Sequence, residues 1–193
     1  MAALVVTLTG SPSASSRTVK LARQVGADLA AQGFEVQDIN VRDLPADDLI
    51  SARSDAPALR GPLALIERAR GVVVATPIYK ASFTGVLKLF LDLLPQFGLA
   101  GKVVLPLATG GTPAHVLAID YALRPVLLSL GAQHVVTGLF VHDKLIELPH
   151  PGTDARVRLE GEIQKRLDVV IEDFATSVRR TLEAGSVARL AVG

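Results

Sequence analysis

The sequence contains no cysteine and no tryptophan, and aromatic residues fill only 4% of its 193 positions. Without cysteine there is no disulfide framework, no thiol nucleophile and no cysteine-ligated metal. Any redox chemistry must therefore come from a bound organic group. Few aromatics and a net charge of +1 leave no basic, base-stacking surface, so nucleic acid is not an expected partner. The same balance argues against an acidic shuttle that docks on basic proteins. The histidines, His115, His134, His142 and His150, fall at no metal-binding spacing, so no metal is expected. A G-x-S-x-G elbow is missing, which removes the common hydrolase signature. The longest apolar stretch, residues 83–94, is too short for a bilayer and carries Lys88 and Asp92. The N-terminus lacks the basic start and long apolar core of a signal peptide. The expectation is a soluble, cytoplasmic protein with no membrane partner.

What the chain does have is alternation. With 49% apolar and 20% charged residues it reads as one globular domain over 1–193, its last residues, about 183–193, forming a loose tail. Short β-branched runs at Leu4–Leu8, Phe34–Ile39, Val72–Ala75, Val103–Ala108 and Val135–Val141 are separated by helical patterns at about 16–32, 57–70, 83–95 and 113–130. A final helical pattern covers about 155–182, and 143–156 reads as a surface loop. Such alternation predicts an α/β fold, a parallel sheet with helices on both faces. Gly33 and Gly131 follow helical segments, where a left-handed C-cap is wanted. Pro106 cannot donate to a ladder and is expected to mark a bulge or a strand end. Five strands joined by right-handed crossovers point to a flavodoxin-like three-layer sandwich, five-stranded, in the order 2-1-3-4-5. Ligands of that architecture bind at the carboxyl ends of the strands, at the switch point.

Three loops meet there. The first, residues 9–18, replaces the glycines of dinucleotide motifs with hydroxyls and one arginine between a buried strand and a helix start. Ser11, Ser13, Ser16, Arg17 and Thr18 thus form a candidate site for one terminal phosphate, since free N–H groups and the helix dipole favour an anion. Flavin mononucleotide (FMN) is the common α/β ligand held this way. The third-strand loop brings Pro77, Ile78, Tyr79 and Lys80. Tyr79 could flank a planar ring or simply pack half-buried. The fourth-strand loop brings Thr109, Gly110 and Gly111, where paired glycines allow close backbone approach. Thr112 and Pro113 also suit a plain helix start. His115, early in the next helix, could approach the ligand or merely pack.

These stretches resemble the NAD(P)H-dependent FMN reductase family over roughly residues 4–180. The residues that carry the resemblance are Gly10-Ser11-Pro12 with Ser16 and Thr18, the run Ala75–Tyr79, and Thr109-Gly110-Gly111. Residues 102–111 and 114–127 resemble the FMN reductases of sulfonate-utilising two-component monooxygenases. The resemblance implies that Ser11, Ser16, Arg17 and Thr18 hold the flavin phosphate, and that Pro77–Tyr79 and Thr109–Gly111 flank the isoalloxazine. Many relatives carry an arginine where Ser13 stands, which implies a lower phosphate affinity here. It also implies NADPH or NADH as hydride donor, no catalytic acid or base, and a flavin-dependent monooxygenase as partner. The other readings of the chain are an FMN-bound quinone or azo reductase and a flavodoxin-type electron carrier.

Two further features bear on assembly. Pro125 lacks an N–H and clashes with the carbonyl four residues earlier, that of Tyr121, so the helix must deform there by a kink or a π-bulge. The sulfonate-linked reductases resemble this chain in having a tyrosine inserted at that turn, which implies a role for Tyr121 at a subunit contact and in flavin exchange. The 83–95 segment is apolar on more than one face, which predicts a homo-oligomer, a dimer of dimers. Lys88 and Asp92 could pair across subunits or locally.

Overall fold

A computed structural model describes residues 2–148 and 156–190, with residues 184–190 described by their backbone alone. The central sheet has seven strands. They are β1 (Leu4–Thr9), β2 (Glu35–Asn40), β3 (Gly71–Tyr79), β4 (Ser82–Phe83), β5 (Val103–Gly110), β6 (His134–Val135) and β7 (Leu139–His142). Its main path runs β2-β1-β3-β5-β6, with β4 paired to β3 and β7 paired to β5. All pairings are parallel except β3 with β4. A second, two-stranded sheet joins β8 (Ile146–Glu147) to β9 (Arg158–Leu159).

Seven strands replace the expected five for two reasons. The third strand runs on and folds back through β4 as a hairpin. The last strand is cut into β6 and β7. The cut lies opposite Pro106, which is neither a bulge nor a strand end but sits inside β5, in register with Val74 of β3. Val104 O accepts from Val136 N at 3.0 Å, so the backbone groups of Val104 and, by parity, Pro106 face the last strand. β6 pairs at Val103–Val104 and β7 at Leu107–Gly110, so the ladder breaks between them, where proline has no hydrogen to give.

Helices α1 (Arg17–Ala31) and α6 (Gly161–Leu190) cover one face; α2 (Ala46–Ile50), α3 (Pro57–Arg68), α4 (Gly85–Leu91) and α5 (Arg124–Ser129) cover the other. The period-2 alternation of β1 divides the core accordingly. Leu4, Val6 and Leu8 join Leu59, Leu87, Phe90 and Leu127. Val5 joins Leu21, Val25, Phe174 and Val178. Each fully buried aliphatic contributes about 1.5–3 kcal/mol relative to exposure, so both faces must be covered for the sheet to be stable. Gly33 and Gly131 have φ of 92° and 82°, as the C-cap expectation requires. The short α2 carries no long periodic pattern and was not expected. The 143–156 segment contains a helical turn, Asp143–Leu145, and then β8; residues 149–155 lie outside the described residues. Helix α6 continues to Leu190, past the expected start of the tail, and residues 191–193 lie outside the described residues.

Candidate active site

The first loop is pinned at its origin. Gly10 N donates to Ala75 O at 2.9 Å, and Gly10 O accepts from the Thr84 hydroxyl. Thr84 in turn caps α4, accepting from Leu87 N at 3.2 Å. Past Gly10, the Ser11 hydroxyl accepts from Ser13 N at 3.3 Å, and Arg42 Nε donates to Pro12 O at 3.1 Å. Ser16 is the N-cap of α1 and accepts from Val19 N at 3.2 Å. Its hydroxyl hydrogen remains free to donate. Arg17, the first residue of α1, has its Nε 3.4 Å from Ile146 O, which ties the helix start to β8.

The third loop is a two-residue hairpin. Tyr79 pairs with Ser82 and Ile78 with Phe83, and the turn residues Lys80 and Ala81 have φ of 50° and 63°. Two successive positive φ values match the type I′ hairpin turn, which usually takes Asn-Gly. Non-glycine residues held there cost about 1–3 kcal/mol each, so the surrounding contacts must impose the turn. Thr76 helps: its hydroxyl accepts from Thr84 N at 3.2 Å and lies 3.0 Å from Pro77 O. The hairpin leaves Tyr79 half exposed at the rim.

Thr109 of the fourth loop is joined to the first, since Thr18 Oγ1 and Thr109 Oγ1 lie 2.7 Å apart, both residues fully buried. This bond locks two loops separated by 91 positions in the sequence. The result is a cavity of about 260 Å³ lined by Ser11, Ser13, Ser15, Ser16, Arg17 and Thr18, by Pro77, Ile78 and Tyr79, and by Thr109, Gly110, Gly111 and Asp143. Among the described residues its lining holds one cation, Arg17, and one anion, Asp143. Lys80, on the hairpin tip, and His115 do not line it. His115 Nδ1 is buried without a hydrogen-bond partner.

A larger cavity, about 640 Å³, lies at the amino ends of the strands, between α3 and the segment after α4. There Lys102 Nζ donates to Glu67 O at 2.8 Å and Ala69 O at 3.2 Å, closing the end of α3. Burial, and then the nearby Arg70 guanidinium, hold the Lys102 ammonium below its ordinary pKa. No group of metal-ligating side chains occurs among the described residues, and no helix among them is long and apolar enough to cross a membrane.

Comparison with known proteins fits this geometry. Residues 3–145 match the family model described as NADPH-dependent FMN reductase. The chain belongs to that family. The FMN reductase (NADPH) of Escherichia coli strain K12 is 44% identical over 177 residues, covering 91% of this chain and 90% of its own. The NADH-dependent FMN reductase SfnE of Pseudomonas putida is 36% identical, covering 82% and 88%. Among solved structures, an apo NADH:FMN oxidoreductase superposes with a TM-score of 0.82 at 43% identity, covering 91% of this chain and 89% of that one. The α/β fold is flavodoxin-like.

As a member of this FMN reductase family, the chain presents a donor set that suits a flavin. Hydroxyls and a guanidinium at the α1 start suit a phosphate, and the Gly110–Gly111 backbone and Tyr79 suit a flat ring. Gly10 shows why the loop can come so close: a Cβ there would lie 2.3 Å from Leu87 Cβ. Sequence reasoning overlooked Ser15 and Asp143. Ser15 stood inside the hydroxyl-rich run. Asp143 follows β7 at the carboxyl edge of the sheet, where the fold rule directs attention, but its segment was read only as a surface loop.

The expected 113–130 helix is broken. A helical turn at Pro113–His115 is followed by a π-helical turn at Ile119–Leu123 and then α5. Arg124 N donates to Ile119 O, five residues back, directly before Pro125. Tyr121 sits in this turn, 79% exposed. On its inner side Ile119 packs with Ile78 and Ala108, and Ile78 is a wall of the cavity. Lys88 and Asp92 pair with each other within the chain, at 2.7 and 2.9 Å. The apolar side chains of the 83–95 segment face this chain's own core, Leu87, Phe90, Leu91, Leu93 and Leu94 fully and Val86 and Leu89 in part. Exposed apolar residues include Ile50, Phe97 and Val169, and a further four, Val116, Leu117, Tyr121 and Leu128, fall along one stretch of chain.

Proposed function

We infer that this FMN reductase, taking its hydride from NADPH or NADH, releases reduced FMN to a flavin-dependent monooxygenase of the alkanesulfonate type. The observation that carries this reading is the lining of the cavity, mostly neutral hydroxyls and backbone with one arginine. Such a site can bind and release a flavin readily, because few charged contacts hold it. In this reading Ser11, Ser13, Ser16, Arg17 and Thr18 take the phosphate. Pro77–Tyr79 and Thr109–Gly111 take the ring. FMN supplies the hydride-accepting chemistry, and the chain positions it and limits solvent access. Because hydride passes directly between the two nucleotides, no acid or base of the chain is required, and among the described residues no histidine lines the cavity. The sulfonate assignment is supported by the resemblance of residues 102–127 and by the π-helical turn at Tyr121.

The assembly in this reading is a dimer of dimers, with Tyr121 at a subunit contact and the flavin exchanging as a substrate. Support comes from the exposed Val116, Leu117, Tyr121 and Leu128 along one stretch of chain. One domain in the cytoplasm completes the picture. The test is to purify the protein, record its flavin content, and follow NADH and NADPH oxidation with and without added FMN. A colourless protein whose turnover needs added FMN supports the reading. A yellow protein that keeps its flavin and reduces quinones without free FMN overturns it.

A further inference from the structure

Among the described residues Asp143 supplies the one carboxylate on the lining of the flavin cavity, and no motif of the family resemblance includes it. Its place is fixed by the sheet. β7 pairs with β5 as far as Gly110 with His142, so Asp143 emerges one step further, beside Gly111. Its Oδ2 lies 4.0 Å from the point a Cβ on Gly111 would occupy. His142 Nδ1 accepts from Lys144 N at 3.1 Å and holds the turn on which Asp143 sits. Among the described residues no lysine, arginine or histidine comes within ion-pair distance of the Asp143 carboxylate. The cavity is thus electrically two-ended. Arg17 and the hydroxyls stand at the α1 start, and a carboxylate stands beside the paired glycines.

A hydride carries two electrons and one proton. The flavin ring that accepts it gains one negative charge until it takes a further proton from solvent. The oxidised ring carries no such charge. A carboxylate beside the ring therefore distinguishes the two forms, repelling only the charged one. We propose that the Asp143 carboxylate weakens the hold on FMN once it is reduced, so that the product leaves and oxidised flavin replaces it. The inference rests on the reading that the ring lies against Thr109–Gly111. For two like charges in a partly solvated cleft, at an effective dielectric near 20 and with allowance for solvent screening, the expected discrimination is about tenfold in affinity.

The test compares dissociation constants of oxidised and reduced FMN for the full chain. The oxidised form is titrated by quenching of flavin fluorescence, and the reduced form by anaerobic ultrafiltration. The parent binds oxidised FMN more tightly. Asp143→Asn and Asp143→Ser narrow the ratio at least threefold by strengthening the hold on reduced FMN, whereas Asp143→Glu stays nearer the parent. Circular dichroism confirms that each variant is folded, and either neutral variant alone suffices. A ratio unmoved by the neutral variants, or moved equally by Asp143→Glu, overturns the inference while the proposed function stands. A parent that binds neither form overturns the proposed function and this inference with it.

Discussion

Replacing Gly10 by alanine isolates one contact on which the first loop of the cavity depends. The new Cβ would lie 2.3 Å from Leu87 Cβ, 2.8 Å from Leu87 Cα and 3.0 Å from Leu87 N. These atoms cannot rotate away, because none is the far end of a side chain. The loop cannot retreat freely either, since Gly10 N is bound to Ala75 O and Gly10 O to the Thr84 hydroxyl. Overpacking in a filled core costs about 1–3 kcal/mol, and the backbone atoms involved place this case in the upper half. With a scale of about 2–4 °C per kcal/mol for a chain of this size, Tm should fall by about 4–12 °C. The strain should also displace Ser11 and its neighbours, so affinity for FMN should fall with stability. Chemical denaturation and flavin titration measure the two effects. Trimming Leu87 to alanine leaves the offending Cβ in place, so a Gly10→Ala/Leu87→Ala protein should be less stable than Gly10→Ala alone. A Gly10→Ala protein as stable as the parent, with unchanged FMN affinity, would refute the argument that close packing against α4 sets this loop.

Arg17→Ala should weaken FMN by the value of a charged hydrogen bond, about 1.5–3 kcal/mol, and riboflavin far less; equal losses in titration would remove Arg17 from the phosphate. Thr18→Val should lose the bond to Thr109 and leave a buried hydroxyl without its partner, at a cost of about 1–3 kcal/mol in denaturant unfolding, with flavin affinity falling too. Lys88→Ala, which removes an exposed pair closed within the chain, should change stability by less than about 1 kcal/mol and leave the sedimentation coefficient unaltered. Lys102 has its pKa lowered in the folded chain, so between that value and the ordinary 10.5 the unfolded state binds more protons. Stability contributed by this group should therefore rise with pH through that window, and Lys102→Met should lose the rise in melting curves taken at alkaline pH.

The strands were legible because the sheet is covered on both faces. β1, β3 and β5 are buried along nearly their whole length, and that demand writes itself as continuous aliphatic runs. The glycines after α1 and α5 were legible for a different reason, since a positive φ admits few other residues. What escaped notice depends on contacts distant in sequence. The β3–β4 hairpin has Lys-Ala at its turn, not the Asn-Gly that announces such a turn, and is imposed by the Thr76 and Thr84 bonds. The cut between β6 and β7 answers Pro106, some thirty positions away, and Gly138 closes it: a Cβ there would meet Pro106 O at 3.0 Å and Ile119 at 2.9 Å. Proline was seen to be costly. The neighbouring strand carries the cost.

The same distinction separates the two parts of the site. The hydroxyl-rich first loop is local, one run between a strand and a helix, and its place on the cavity could be read from ten consecutive residues. That the helix must deform near Tyr121 was legible too, with a kink and a π-bulge both open, because Pro125 removes a donor and crowds the carbonyl four residues behind it whatever lies around it. Arg124 then makes the bond to Ile119 that a regular helix would not. Asp143 had no such signature. It enters the cavity only because β7 runs parallel to β5 and both end at the same edge, one residue past Gly110 and His142. Its charge could be placed only after the register was known. A residue positioned by register, and not by motif, is where this chain can differ from others that share its hydroxyl-rich first loop.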